Sequence, residues 1–282
     1  MTQPHALDVA CIGDNCVDVT VGRPGEELAG GNAFNVAVEL ARASRAVAYL
    51  GAVGDDDSGR LIRRTGADAG VDMAGLRTLP GPTGRTVVDH RPGGDRFFVS
   101  EEYGASADYR LDAPTIERLA HGARWIHFAR EADAPDHAGA LAAHGARLSA
   151  DFGDTEDVDA IAPLCAQLHV AFLSDPSGDA TSGQALLDRL AAAGAEVAVV
   201  TLGVGGSLAR AGDRRWHQPI VPVDRVVDTL GAGDAFIAAF VGALLDAPGD
   251  VSLALSRGAA AGAAACTRIG LASPPPATEV TA

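Results

Sequence analysis

Val226-Val227-Asp228-Thr229-Leu230-Gly231-Ala232-Gly233-Asp234-Ala235-Phe236 is the stretch on which the reading of this chain turns. Its two valines predict the end of a strand, Gly-Ala-Gly a tight turn, and the alanine-rich residues beyond it a helix. At such a turn the unpaired N–H groups of the first helical turn point outward, at the positive end of the helix dipole. Gly231, Ala232 and Gly233 have almost no side chain, so a phosphate can come close to their backbone. Asp234 sets a carboxylate at the same place, where it repels a phosphate. Phosphoryl transfer to a hydroxyl needs a proton acceptor beside anion-stabilising donors, and this turn offers both. The plainer alternative is a helix N-cap on a Gly-rich turn. The run alone does not separate the two.

Composition narrows the setting. At 282 residues, 47% hydrophobic and 21% charged, the chain has the make-up of one large globular α/β domain. A net charge of −15 argues against nucleic acid or an anionic membrane as partner. All 22 basic residues are arginines, which excludes a Walker-type lysine, a Schiff base and a protein-kinase strand lysine. Cys11, Cys16, Cys165 and Cys266 form no C-x-x-C pair and read as buried thiols of a reducing compartment. With neither a signal peptide nor a membrane-length apolar run, a cytoplasmic protein is expected.

Toward the N-terminus, Leu7–Gly13 reads as a buried strand running into Asp14-Asn15-Cys16-Val17-Asp18. Ligands of open α/β sheets bind beyond the carboxyl ends of strands, so these polar residues stand at a good position for a site, or else form an Asx-rich turn. Gly30-Gly31-Asn32-Ala33-Phe34-Asn35 then opens a helix over Val36 to Ala43; paired glycines admit a close ligand, and amides both donate and accept. A strand over Ala46–Val53 leads to Asp55-Asp56-Asp57, read as acids favoured at a helix N-terminus, and a helix over Arg60–Ala69. Thr86–His90 and Arg96–Val99 flank Arg91-Pro92-Gly93-Gly94-Asp95, a hairpin signature. From Trp125 on, strands at Trp125–Ala129, Arg147–Phe152, Val170–Leu173 and Val197–Leu202 alternate with Ala/Leu helices, the pattern of a parallel sheet covered on both faces. Thr201-Leu202-Gly203-Val204-Gly205-Gly206 follows the last of them as a Gly-rich turn.

Two of these motifs, in order and far apart, resemble the signatures of the PfkB (ribokinase-like) carbohydrate kinases: Gly30-Gly31-Asn32-Ala33-Phe34-Asn35 and Asp228-Thr229-Leu230-Gly231-Ala232-Gly233-Asp234 with Ala238-Ala239. The resemblance runs from Leu7 to Leu271. It implies a three-layer α/β/α sandwich, with a mainly parallel central sheet and a small β-sheet lid. One domain would span residues 1–272, with lid segments near 17–29 and 84–99, and a disordered tail over 273–282. It implies ATP-dependent phosphorylation of a small carbohydrate, with Asp234 as catalytic base and the Gly231–Gly233 amides as anion hole. Asp14, Asp18, Gly30, Gly31, Asn32 and Asn35 would bind the sugar, and Thr201, Gly203, Gly206 and Thr229 the ATP, with Gly258–Ala265 against adenine. Mg²⁺ is expected, and K⁺ near Asp228. The family's Asn-x-x-Glu, which helps place magnesium, is absent from Leu173-Ser174-Asp175-Pro176-Ser177-Gly178-Asp179. The metal would then be held mainly through phosphates and water, with Asp175 or Asp179 as substitutes.

Within the family, Ile12–Asp18, Gly30–Val38 and Val53–Asp57 are most similar to the fructoselysine 6-kinases. That makes a fructosamine the expected acceptor and Asp14 a partner for its amine. A kinase for ribose, fructose or a nucleoside is the alternative within the class. A catalytically silent sugar-binding regulator is the alternative outside it. A homodimer through the lid is expected if the lid leaves an apolar face exposed.

Overall fold

The structure, a computed structural model, describes residues 6–22, 27–90, 96–129, 134–155 and 157–270. Strands at Leu7–Ile12 (β1), Cys16–Thr20 (β2) and Glu27–Gly30 (β3) precede a helix, Asn32–Arg42 (α1). Val47–Val53 (β4), Asp57–Asp68 (α2), Asp72–Thr78 (β5), Thr83–His90 (β6) and Arg96–Gly104 (β7) follow. Four strand–helix alternations come next, with Ala113–Gly122 (α3), Ala123–Phe128 (β8), Ala134–Ala142 (α4), Arg147–Asp151 (β9), Val158–Cys165 (α5), Val170–Ser174 (β10), Ala180–Ala192 (α6) and Val197–Thr201 (β11). The chain closes with Ser207–Ala211 (β12), Arg214–Gln218 (β13), Ala232–Asp246 (α7) and Val251–Ala265 (α8).

Nine strands make one sheet in the order β13-β12-β11-β10-β9-β8-β1-β4-β5, parallel from β11 through β5. The hairpin of β12 and β13 at one edge joins it through antiparallel pairings, so that β12 alone of the nine runs against the rest. Successive residues of the buried strands face opposite layers, as the pleat requires. Val9 and Cys11 join the core under α1, α7 and α8, whereas Ala10 and Ile12 join the core under α3 to α6. The three layers inferred from the strand–helix alternation are therefore present. Boundaries in these layers shift by a residue or two, except that α1 starts at Asn32 and α2 at Asp57; outside them, β6 starts at Thr83 and β7 runs on to Gly104. Asp56 causes the second shift: its side chain accepts the Gly59 N–H and also bonds Thr83.

A second sheet, β3-β2-β6-β7, stands apart from the first. Its central pair, β2 and β6, is parallel (Val17↔Arg85, Val19↔Val87), so the two segments singled out by their strand pattern do meet. β6 and β7 pair antiparallel on either side of residues 91–95. The expected hairpin turn there, the tail over 273–282 and the Phe97 side chain lie outside the described residues.

One sequence reading is corrected. Val226 and Val227 belong to no strand; residues 219–230 are irregular, and the two valines are 47% and 38% exposed. β-branched residues favour strands only where a partner is available. Here Pro219 and Pro222 cannot donate to a ladder, and β13 already ends at Gln218.

A buried histidine lies in the core between β8 and β9. Trp125 Nε1 donates to Ser149 Oγ at 2.7 Å, and His127 Nδ1 lies 2.9 Å from the same oxygen. Burial lowers the His127 pKa to about 3. Its Nε2, without a hydrogen-bond partner, belongs to a ring set edge-on to Phe172. An unfolded His titrates near about 6.5. The folded value is depressed, so the associated stability is complete above that pH and is lost as pH falls toward 3. Urea unfolding should show about 1.4 kcal/mol per pH unit from this residue between about pH 6 and 4. His127→Gln, which keeps an acceptor for Ser149, should remove that share of the slope. Identical slopes in the two proteins would refute the assignment.

Candidate active site

The site is built around the N-terminus of α1. Gly30 ends β3 opposite Cys16, and the Asp18 carboxylate on β2 packs so closely against it that a methyl group at position 30 would overlap that carboxylate. Gly31 caps α1 at φ 105°, a left-handed conformation suited to glycine. Asp14 then accepts the N–H groups of Asn32 (2.9 Å) and Ala33 (3.2 Å) through its two oxygens. Asn32 Nδ2 donates to Asp151 Oδ2 at the end of β9, and Asn35 Nδ2 donates to Asp234 Oδ2 at 2.7 Å. One helix N-terminus thus gathers four carboxylates: Asp14, Asp18, Asp151 and Asp234. Its dipole and the first-turn N–H groups that Asp14 accepts offset part of that crowding.

These acids have different tasks. Both Asp14 oxygens bond the first turn of α1, so Asp14 caps that helix from a neighbouring loop. Asn15 is likewise structural, bonding Tyr49 Oη and the Ala52 carbonyl. Burial raises the Asp14 pKa against the opposing pull of those N–H groups. Burial also raises Asp151, with Asp14 and Asp154 adding repulsion, while Gly153 N–H (3.0 Å) and Asn32 pull the other way. Beside it, Asn32 Oδ1 is buried without a hydrogen-bond partner. An acceptor left so, next to a carboxylate that burial disfavours, fits a cationic or hydroxyl-bearing ligand.

Asp234 sits in the first turn of α7, a helix buried along most of its length against α1 and α8. Gly231 caps it in the left-handed region, φ 77°. Of the three expected anion-hole amides, that of Ala232 bonds the Thr229 carbonyl at 3.2 Å; at Gly233 an added methyl would meet open space. Asp228 ties the turn to the end of the described chain, taking Leu230 N–H at 2.9 Å and Gly270 N–H at 3.3 Å. Gly258 has a packing role: a methyl there would press on the Phe236 ring, so it lets α8 lie close on α7.

The expected nucleotide turn lies along the same sheet edge. β9, β10 and β11 are neighbours ending at Asp151, Ser174 and Thr201; Asp151 is level with Val199 two strands away and Thr201 lies two residues further along, roughly 12 Å from Asp151. Thr201 Oγ1 lies 2.9 Å from Ser174 Oγ, and Leu202 N–H closes the glycine turn on the Gly206 carbonyl at 2.8 Å. Asp179 caps α6. Asp175 differs: Ser177 bonds its Oδ1 twice and lowers its pKa, while its buried Oδ2 has no hydrogen-bond partner.

The geometry therefore brings Asp14, Asp18, Gly30, Gly31, Asn32, Asn35 and Asp234 together, as their motifs imply. It adds Asp151, which no motif marks. Its signal was available: like Asp14, it stands at the carboxyl end of a strand of the parallel sheet, whereas Asp18 lies inside β2 of the small sheet.

Residues 9–278 match the family model of the pfkB family carbohydrate kinases. The chain belongs to that family. This pfkB kinase is 37% identical over 238 residues to the fructoselysine 6-kinase of Escherichia coli (strain K12), covering 83% of this chain and 87% of the relative. It is 31% identical to a fructosamine kinase of Bacillus subtilis (strain 168), covering 92% and 91%. Its fold follows the ribokinase of Arabidopsis thaliana complexed with ribose and ATP, with a TM-score of 0.81 at 22% identity over 95% and 96% of the two chains. The protein is thus a carbohydrate kinase of ribokinase-like fold. None of the described helices of this pfkB kinase is long and apolar enough to cross a membrane.

Proposed function

We propose that this pfkB kinase transfers the γ-phosphoryl group of ATP to a hydroxyl of a fructosamine, with fructoselysine as the preferred acceptor. The observation carrying the acceptor class is the buried Asp151 carboxylate beside the partnerless Asn32 Oδ1, with the half-buried Asp14 close by at the first turn of α1. A fructosamine differs from a plain ketose by a protonated amine beside the sugar, the group such an environment favours. The likeness to kinases named for fructoselysine and fructosamine supports the same reading.

In this reading Asp18 and Asn35 orient the acceptor, and Asp234 takes the proton of the attacking hydroxyl. Asn35 holds the Asp234 carboxylate toward the acceptor side. The backbone of the Gly231–Gly233 turn receives the transferring phosphate, and Thr201, Gly203, Gly206 and Thr229 receive the nucleotide. Asp175, with its partnerless Oδ2, is the residue that would hold Mg²⁺ in place of the missing Asn-x-x-Glu. Bound there, the ion would offset phosphate charge. The small sheet acts as a lid excluding water. Val21, Phe98, Val99 and Tyr103 are exposed on it, which favours a dimer through that face.

Competition kinetics over fructoselysine, fructose, ribose and a nucleoside test the reading. Fructoselysine is expected to have the highest kcat/KM. A tenfold advantage for ribose or the nucleoside would overturn the fructosamine assignment and leave the kinase assignment standing.

A further inference from the structure

Among the described residues, one group of metal-ligating side chains converges away from the active site: Glu117, His121 and His144. Glu117 and His121 are four residues apart and so share one face of α3; His121 Nε2 lies 2.9 Å from Glu117 Oε1. His144 comes from the turn between α4 and β9. Its ring lies over that of His121, with centroids 3.8 Å apart and planes tilted by 33°. The three ligand atoms lie within 4.8 Å of one another, and all three residues are exposed. One divalent ion set between the two rings can take a nitrogen from each and an oxygen from Glu117 at once.

We propose that Glu117, His121 and His144 form a site for a zinc-class divalent cation. Two neutral imidazoles and one carboxylate are the nitrogen and oxygen donors that Zn²⁺ takes at tetrahedral sites, and their exposure leaves the fourth position to water. Magnesium, which prefers oxygen and retains its waters, suits this set poorly. The site joins the last turn of α3 to the turn entering β9, at the amino ends of β8 and β9. Asp151 ends β9 at the other edge of the sheet, roughly 17 Å away along a five-residue strand. The ion therefore acts on stability, clamping α3 to the α4–β9 turn, and takes no part in phosphoryl transfer.

The test uses the untagged full-length chain without nucleotide, in equilibrium dialysis against Zn²⁺ and in thermal unfolding with and without it. The active-site carboxylates can also take up zinc, so the decisive quantity is the difference between wild type and the variants His144→Ala and His121→Ala. Wild type is expected to hold one more Zn²⁺ per chain, with affinity at least about tenfold higher. Zinc is expected to raise Tm in wild type and not in the variants. Equal uptake by wild type and both variants, or an equal zinc-induced rise in Tm, would overturn the proposal. All three side chains are exposed, so the variants retain the core, and their zinc-free Tm verifies this.

Discussion

Asp234→Asn is expected to keep the fold and ATP binding while lowering turnover by a factor on the order of 10² or more, the usual loss when a general base is removed. The amide matches the carboxylate in shape and can present its oxygen to Asn35 Nδ2, which now bonds Asp234 Oδ2 at 2.7 Å. The rest of α7 is held by apolar packing, including the stacked Phe236 and Phe240 rings, and does not depend on the charge. What the amide lacks is the capacity to accept the hydroxyl proton. Steady-state kinetics, with nucleotide affinity measured separately, distinguish this from a binding defect. Near-wild-type turnover would remove Asp234 from the mechanism.

The second large effect is expected at a residue whose loss should change preference more than competence. In Asp151→Asn, kcat/KM for fructoselysine should fall by about 10², the order expected when a buried ammonium loses its charged partner. For fructose, which brings no amine, the change should stay within about threefold: the amide oxygen still accepts from Gly153 N–H, and its NH2 can donate to Asn32 Oδ1 once the Asn32 amide turns over. An equal fall for both acceptors would make Asp151 a support for α1 alone. An unchanged rate with fructoselysine would place the amine elsewhere.

How much was legible beforehand depended on where each signal resides. Buried parallel strands such as Val47–Val53 and Val170–Ser174 are continuous apolar runs, and sequence alone reveals them. Glycine-marked entrances to α1 and α7 are equally plain, because backbone geometry there demands small residues. Edge strands were harder: β5 and the β12–β13 hairpin carry mixed, half-exposed residues, and none was anticipated. Val226 and Val227 erred in the opposite direction, with strand-forming side chains on a segment that has no ladder to join. Both small-sheet segments could be picked out by alternation. Their parallel pairing depends on the chain passing through α1, β4, α2 and β5 between them, which no local pattern encodes. Asp151 escaped notice because it stands in no signature. It acquires meaning only when the sheet order sets β9 beside β8, and through β8 near β1.

Asn32 and Asn35 lie three residues apart on one helix, one touching Asp151 and the other Asp234. Mutational histories of this protein can therefore be modular. On the fructosamine reading, substitutions at 32 and 151 would retune which acceptor is chosen, while 35 and 234 would keep the proton-taking pair unaltered on the same rigid support. On that reading, a descendant lineage could abandon amines for neutral sugars in one or two amino-acid changes and never pass through an inactive ancestor.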